Sequence, residues 1–293
     1  MKHWFTYPLI AHPYDPEFVR GDSLTRIAQA AEAAGFSGIG FTDHPAPSHK
    51  WLVAGGHDAL DPFVALGHVA AVTRTLRLIP NIVVLPYRNP FLVAKAAATL
   101  DSLSGGRFTL SVATGYQKAE YRALGVDFDQ RNELFDEALD VIGRAWREEQ
   151  VAVEGSGFSA RDVTANPQPE HVPVWIGGNS ALTRRRVAER GDGWNPFRAN
   201  PIVARTTKTP ALQTLDELAV LIDDLHRLLD AAGRDPASVD IAFSASGSGE
   251  AHLAELDRIE QLGVTWNGVT VPGDSVAHAI EEIERYGAEV IRV

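Results

Sequence analysis

Short apolar runs alternate along the chain with longer segments in which apolar residues recur every three or four positions. Runs of the first kind predict buried strands, and segments of the second kind predict amphipathic helices. In the first such helix Leu24, Ile27 and Ala31 fall on one face, and Gly35 supplies a stop. The predicted strands are residues 3–9, 37–42, 76–85, 107–113, 172–176, 191–195, 239–244 and 266–271.

Helical patterns separate these strands and follow the last of them. They cover about residues 24–34, 63–73, 91–103, 132–147, 182–190, 215–232, 252–262 and 276–286. Strands that alternate with helices in a chain of 293 residues predict an α/β fold, namely a (β/α)8 TIM barrel in one domain over residues 1–293, in preference to a doubly wound sheet. Residues 198–214, after the sixth predicted strand, have no strong period and are predicted to be an insertion loop, either a lid or a mobile surface loop.

Composition excludes several classes of function. A formal charge of -11 gives no electrostatic reason to bind nucleic acid or an anionic membrane. Because the chain has no cysteine, it can hold neither a disulfide nor a thiolate metal site. Its start lacks the apolar region of a signal peptide, and no stretch approaches 18 uninterrupted apolar residues. We therefore expect a cytoplasmic protein without a membrane span.

In a barrel of this kind, chemistry belongs at the carboxyl ends of the strands. None of the five lysines lies in a predicted strand, which argues against a Schiff-base enzyme. The first strand also lacks the His-x-His pair of a metal-dependent hydrolase. The loop after the second strand carries Asp43, His44, His49 and His57, but without regular ligand spacing, so no metal site is predicted.

One strand end raises a specific question, because residues 173–194 read PVWIGGNSALTRRRVAERGDGW. Two glycines at the end of a strand permit close backbone approach, and the first turn of the next helix offers free N–H groups. Gly177, Gly178, Asn179 and Ser180 could therefore cradle an anion. Taken alone, the same residues fit a tight turn into a capped helix at least as well.

Three blocks of sequence together resemble the bacterial luciferase-like superfamily of flavin and deazaflavin oxidoreductases. They are GFSGIGFTDH, the segment from LIPNIVVLPYRNP through LDSLSGGRFTLSVATGYQKAEYRALGVDFDQRNELFDEAL, and PVWIGGNSALTRRRVAERGDGW. The likeness covers nearly the whole chain and is strongest to the subgroup expected to use coenzyme F420. It implies a barrel with the cofactor ring in its mouth and the cofactor phosphate at Gly177, Gly178, Asn179 and Ser180.

The resemblance also implies further cofactor-binding positions. Asn81 and Ile82 match a non-proline cis peptide or bulge that supports the ring. Asp43 belongs to the Asp-His pair after strand 2, and Thr114 and Gly115 end strand 4. Arginines 184–186 cannot all reach one ligand, since successive helical residues point about 100° apart, and most of the triplet is expected to face solvent.

Two residues are candidates for catalysis. His44 matches a histidine that serves the reacting carbon in a sugar-phosphate dehydrogenase of the superfamily, either as an acid or base or by orienting the ring. The accompanying tryptophan and glutamate of that enzyme match Ser48 and Tyr116 here, which weakens a sugar-phosphate assignment. Tyr116 is the competing proton donor. Aromatic residues at strand ends suggest an aromatic-lined pocket: Trp51, Tyr87, Tyr116, Trp194 and Phe197.

The resemblance therefore implies an oxidoreductase that transfers a hydride between F420 and a small organic substrate. Two alternatives stay open, an FMN-dependent two-component monooxygenase and a non-catalytic flavin-binding barrel. Because members of the family often form dimers, a homodimer is a possible assembly. The cationic residues of the insertion loop, Arg198, Arg205 and Lys208, would reach the anionic tail of F420 if the loop closes over it.

Overall fold

In the computed structural model, which describes residues 1–292, nine parallel strands form one curled sheet. Two further strands, β6 and β7, pair as a separate antiparallel hairpin. The strands are β1 (Lys2–Thr6), β2 (Gly38–Gly40), β3 (Arg77–Leu78), β4 (Val83–Val84), β5 (Leu110–Ala113), β6 (Val151–Gly155), β7 (Phe158–Val163), β8 (Val174–Gly177), β9 (Gly193–Asn195), β10 (Asp240–Phe243) and β11 (Trp266–Val269).

The α-helices follow the strands along the chain. They are α1 (Gly21–Ala34), α2 (His49–Val53), α3 (Pro62–Val72), α4 (Pro90–Ser104), α5 (Lys118–Ala123), α6 (Arg131–Arg147), α7 (Ala181–Arg190), α8 (Pro201–Thr207), α9 (Leu215–Ala231), α10 (Gly249–Gln261) and α11 (Val276–Tyr286). Among residues 1–292, no helix has both the length and the apolar character needed to cross a membrane.

The sheet curls round so that its two ends approach each other. Its order is β3-β2-β1-β11-β10-β9-β8-β5-β4. Leu78 in β3 forms a parallel bridge with Phe108, just before β5. The Leu78 N–H donates to the Arg107 carbonyl at 2.9 Å, and the Thr109 N–H donates to the Leu78 carbonyl at 3.0 Å. Because all nine strands run in the same direction, their carboxyl ends lie along one edge, as the sequence predicts.

The third predicted strand is continuous in sequence but divided in the structure. β3 pairs with β2, whereas β4 pairs with β5. The peptide bond between Asn81 and Ile82 lies between the two halves and is cis, one of the two forms that the family resemblance implies. The prediction of one strand over residues 76–85 is therefore wrong in this detail, because the chain changes its hydrogen-bonding neighbour midway along.

The segment 198–214 is more ordered than its sequence suggests. Asn200 caps α8, since its side chain accepts from the N–H groups of Ile202 and Val203. Ala199 and Leu212 form an antiparallel bridge that closes the segment. The prediction of a loop without regular structure is therefore wrong. The sequence analysis also missed α2, α5 and the β6–β7 hairpin, because these elements are too short or too polar to give a strong period.

Two hydrophobic clusters hold the sheet in place. Between the sheet and the helices lies a large core to which most helices contribute. Inside the curl, Trp4, Trp175 and Trp266 pack with Ile79 and Ala242 as a second cluster. These five side chains come from five different strands or strand ends, so the interior of the curl below the carboxyl edge is filled.

A buried histidine ties the first strand to the last helix. His3 in β1 has a side chain close to the Tyr286 hydroxyl (3.1 Å) and to the Asn267 amide (3.4 Å). Burial, followed by the positive chain terminus, lowers the pKa of His3 from 6.5 to about 4. Because the imidazole is neutral in the folded protein and takes up a proton on unfolding, it costs stability in acid.

We expect the free energy of unfolding to fall by up to about 3 kcal/mol through His3 as the pH drops from 6.5 to about 4. His3→Gln should remove the part of this decrease in the free energy of unfolding that His3 causes, as measured by urea denaturation at several pH values. His278→Gln is the control, because Asp274 raises the pKa of this exposed histidine and its removal should not protect against acid. An equal acid loss in wild type and His3→Gln would contradict the assignment.

Candidate active site

The carboxyl ends of the strands surround a cleft of about 560 Å³. Ten of the eleven predicted site residues line it, which brings together segments of the chain more than 130 residues apart. The cleft lies over the division between β3 and β4. The ten residues are Asp43, His44, Asn81, Ile82, Thr114, Gly115, Tyr116, Gly177, Gly178 and Ser180.

The eleventh residue, Asn179, lies behind the cleft wall and is buried. Its amide nitrogen donates to the carbonyls of Phe197 (2.9 Å) and Pro210 (3.0 Å), and its side-chain oxygen accepts from the Phe197 N–H at 3.0 Å. Its own N–H donates to Thr209 Oγ1 at 3.0 Å. Asn179 therefore connects the end of β8 to the segment carrying α8, and its N–H is not free for an anion.

The glycine pair permits a close approach within the protein. A Cβ at Gly177 would lie 2.3 Å from Ile82 Cδ1, and Gly178 has a φ of +122°. The Gly178 N–H already donates to the Asn195 carbonyl at 3.1 Å. The N–H groups of the glycine pair are thus not all free, whereas the sequence predicts that they are. The free N–H groups lie further along the chain, in the first turn of α7, where Ser180 is the N-cap.

Cationic side chains from three segments face this end of the cleft. Arg131 begins α6, Arg186 lies on α7, and Lys208 follows α8. Of the three, only Arg186 has a carboxylate partner within salt-bridge distance among the described residues, namely Asp136. The start of α7 and the two cations without a carboxylate partner make this end suitable for an anionic group.

Two of the three consecutive arginines are buried, which corrects the expectation that most of them face solvent. Arg184 donates to Asp224 at 2.8 Å, and Arg186 donates to both oxygens of Asp136 at 2.7 Å. α7 packs between helices that carry these carboxylates, so both guanidinium groups are paired. Arg185 alone is exposed.

At the other end of the cleft, His44 is held by a buried carboxylate. Its Nδ1 lies 3.1 Å from Glu120 Oε2, and the Glu120 side chain has no solvent exposure. Glu120 also accepts from the Tyr87 hydroxyl and from the Ala46 N–H, each at 3.2 Å. With its proton on Nδ1, His44 donates to the Glu120 carboxylate and Nε2 is available for a ligand. The side-chain nitrogen of Gln117 also lies 3.2 Å from Nδ1.

Aromatic rings surround His44. The ring centroid of Trp51 lies 4.7 Å away, that of His57 5.0 Å away and that of Tyr116 6.2 Å away. Burial, together with the charge of Glu120, raises the pKa of Tyr116 to about 12, so its phenol stays protonated at neutral pH. Of the other predicted aromatic residues, Phe197 lines the cleft, whereas Tyr87 and Trp194 are buried behind it.

Sequence comparison alone misplaced the partners of His44. It assigned the tryptophan and glutamate positions to Ser48 and Tyr116, but Trp51 and Glu120 are the residues that contact the imidazole. Ser48 instead caps α2 and so positions Trp51 one turn later. Glu120 lies four residues after Tyr116, and the missed helix α5 is what turns its carboxylate inward.

Asp43 was predicted to contact the cofactor, but in the structure its side chain also holds neighbouring segments of the chain together. Its buried carboxylate accepts from both terminal nitrogens of Arg88, at 2.5 and 2.8 Å, and from the Val84 N–H at 2.9 Å. These bonds hold β4 against the end of β2. Among residues 1–292, no group of three or more His, Asp or Glu side chains is arranged to hold a metal ion.

A family model described as luciferase-like monooxygenase matches residues 3–255. The chain belongs to this family. The expectation drawn from the sequence blocks is thereby confirmed, and luciferase-like relatives include both F420-dependent and monooxygenase members.

Two curated relatives illustrate this range. The F420-dependent glucose-6-phosphate dehydrogenase of Microbacterium testaceum (strain StLB037) is 30% identical over 224 residues, which is 75% of this chain and 62% of that protein. Pyrimidine monooxygenase RutA of Allorhizobium ampelinum (strain ATCC BAA-846 / DSM 112012 / S4) is 32% identical over 176 residues, 57% of this chain and 46% of that protein.

The luciferase-like fold is also evident from solved structures. Monooxygenase RslO1 from Streptomyces bottropensis superposes with a TM-score of 0.83 at 19% identity, over 99% of both chains. At that identity the similarity concerns the fold and not the reaction.

We expect Asp43→Asn to lower the free energy of unfolding by about 3 kcal/mol, because it removes the buried partner of Arg88 and leaves that charge only the more exposed Asp61 at 3.4 Å. Urea denaturation followed by circular dichroism measures the loss. The matched control is Asp22→Asn, since the Arg20–Asp22 pair is exposed and should contribute little. Similar losses in both variants would show that the buried pair has no special role.

Proposed function

We propose that this protein is an F420-dependent oxidoreductase that transfers a hydride between the deazaflavin and a small organic substrate. The curled sheet is taken here as a (β/α)8 barrel in which β3 and β4 form the third strand. The observation that carries the proposal is the His44–Glu120 pair, because it presents an imidazole to the same cleft that carries an anion-binding end.

The residues of the cleft fit a phosphate-bearing ring cofactor. The first turn of α7, with Ser180 as its cap, would hold the phosphate together with Arg131 and Lys208. Asn81 and Ile82 lie between the two ends of the cleft and would support the ring. When bound, F420 supplies the carbon that accepts or donates the hydride, and the protein supplies position and proton transfer.

His44 is suited to move the proton that accompanies hydride transfer. Its Nε2 would accept the hydroxyl proton of an alcohol or return it to a carbonyl oxygen. Glu120 fixes the tautomer of His44 through Nδ1 and stabilises the charged imidazolium. Tyr116, with its raised pKa, is suited to donate a hydrogen bond to a substrate oxygen rather than to act as a base.

The FMN-dependent monooxygenase is the second candidate, and the RutA relative favours it. F420 is preferred because the F420-dependent relative aligns over 75% of the chain, against 57% for RutA. A non-catalytic flavin-binding barrel would have no use for a solvent-excluded glutamate paired with a histidine in the cleft.

The cationic loop residues take different roles in this proposal. Lys208 lines the cleft and would meet the phosphate or the anionic tail of F420. Arg198 is paired with Glu255 and donates to the Gln213 carbonyl at 2.9 Å, and Arg205 is exposed outside the cleft. Lys208 and Arg205 therefore form a matched pair for testing cofactor binding.

Titration of the purified protein with F420 and with FMN, followed by fluorescence, should give tighter binding of F420. Lys208→Gln should weaken F420 binding about threefold to fivefold, the scale of one exposed charge interaction, whereas Arg205→Gln should leave it unchanged. Micromolar FMN binding with no detectable F420 binding would overturn the choice of cofactor. Equal effects of the two substitutions would remove Lys208 from the site.

His44→Ala should slow the hydride step by about 100-fold while F420 affinity stays nearly intact, the usual scale for losing a general acid or base. Single-turnover stopped-flow absorbance with a panel of simple secondary alcohols measures this step. Tyr116→Phe is the paired variant and should slow it far less. If Tyr116→Phe collapses the rate and His44→Ala does not, the proton-transfer role belongs to the tyrosine; a parallel loss of F420 affinity in His44→Ala would mean that His44 only orients the ring.

A further inference from the structure

A second imidazole, that of His57, lines the cleft beside His44. The two rings have centroids 5.0 Å apart with planes at 76°. Trp51 packs against both, at 4.7 Å from His44 and 5.4 Å from His57. The proton transfer described above uses only His44, so His57 has no role in it.

The hydrogen bonds of the two rings set which nitrogen of each is free. His57 Nδ1 lies 3.0 Å from the main-chain carbonyl oxygen of Asp58. A carbonyl only accepts, so Nδ1 carries the proton and Nε2 keeps a lone pair. His44 Nδ1 faces the Glu120 carboxylate in a similar way, with the Gln117 side-chain nitrogen as a second neighbour at 3.2 Å. Within residues 1–292, neither Nε2 has a hydrogen-bond partner.

The environment favours the neutral form of His57. Burial is the largest influence and lowers its pKa; the hydrogen bond to the Asp58 carbonyl opposes this, and the nearby His44 lowers the pKa further. The Nε2 of His57 is therefore available as an acceptor in the cleft, beside the ring of His44. Among residues 1–292, none of the cationic residues that line the cleft lies within hydrogen-bond distance of either imidazole.

We propose that His57 determines substrate specificity. Its Nε2 would accept a hydrogen bond from a second donor group on the substrate, next to the hydroxyl group that donates to His44. The preferred substrates are then small molecules with two neighbouring hydroxyl groups, of which a vicinal diol is the simplest. A monoalcohol satisfies only one of the two nitrogens and leaves the other poorly solvated beside Trp51, which weakens its binding. That the diol is a substrate rests on the proposed function; that it binds here does not.

The matched probes are propylene glycol and isopropanol, which differ by one hydroxyl group. The protein carries histidine labelled with the heavy nitrogen isotope, and the ring nitrogens are followed by NMR during titration with each alcohol. We expect the Nδ1–H tautomer for both rings, a shift of both Nε2 signals with propylene glycol, and binding about fivefold tighter than that of isopropanol.

Variants of His57 separate hydrogen bonding from packing. His57→Phe keeps an aromatic ring beside Trp51 but removes the acceptor, and the preference for the diol should disappear. His57→Gln restores an acceptor and should recover some of that preference. Circular dichroism and thermal unfolding check that both variants fold. Equal binding of the two alcohols, a His57 Nε2 signal that the diol does not move, or a preference that survives in His57→Phe would each overturn the proposal.

These measurements use the cofactor-free protein and are repeated with F420 added. If the protein prefers the diol but does not bind F420, the proposed function is wrong and the proposed diol site stands. If the protein binds F420 but shows no preference for the diol, the proposed function stands and the proposed role of His57 is wrong.

Discussion

The candidate active site depends on one buried carboxylate. Glu120 has no solvent exposure, yet it accepts hydrogen bonds from two separate segments: the end of β2 through His44 and Ala46, and the turn after β4 through Tyr87. A buried carboxylate is stable only if such donors surround it. The three donors are thereby fixed relative to one another, and the imidazole that faces the cleft cannot rotate without leaving a charge unpaired.

Asp43, the residue before His44, has a comparable role in the cleft wall. Its bonds to Arg88 and Val84 hold the second half of the divided third strand, which then pairs with β5. Adjacent residues in sequence thus serve two purposes, since one side chain shapes the wall of the cleft and the next presents chemistry to it. The functional side chain is supported by rigid elements on both sides.

The sequence was sufficient for most strands of the curled sheet, most helices and the location of the cleft, because periodicity and the parallel direction of the strands determine all three. It did not show that the third strand is divided or that β6 and β7 form a hairpin. It was not sufficient for the partners of His44. The contact with Glu120 joins residues 76 apart, and the short helix α5 that makes it has no period of its own. The helix α8 was missed although Asn200 and Pro201 form a recognisable start signal. Arg184 and Arg186 were misjudged because their acidic partners come from other helices.

The tryptophan cluster inside the curl limits the routes by which ligands can reach the cleft. Trp4, Trp175 and Trp266 are each at most 4% exposed and fill the space beneath the carboxyl edge. A ligand therefore cannot reach the cleft through the interior of the curl. Two molecules that bind in the cleft together would both have to enter and leave on the carboxyl side of the sheet.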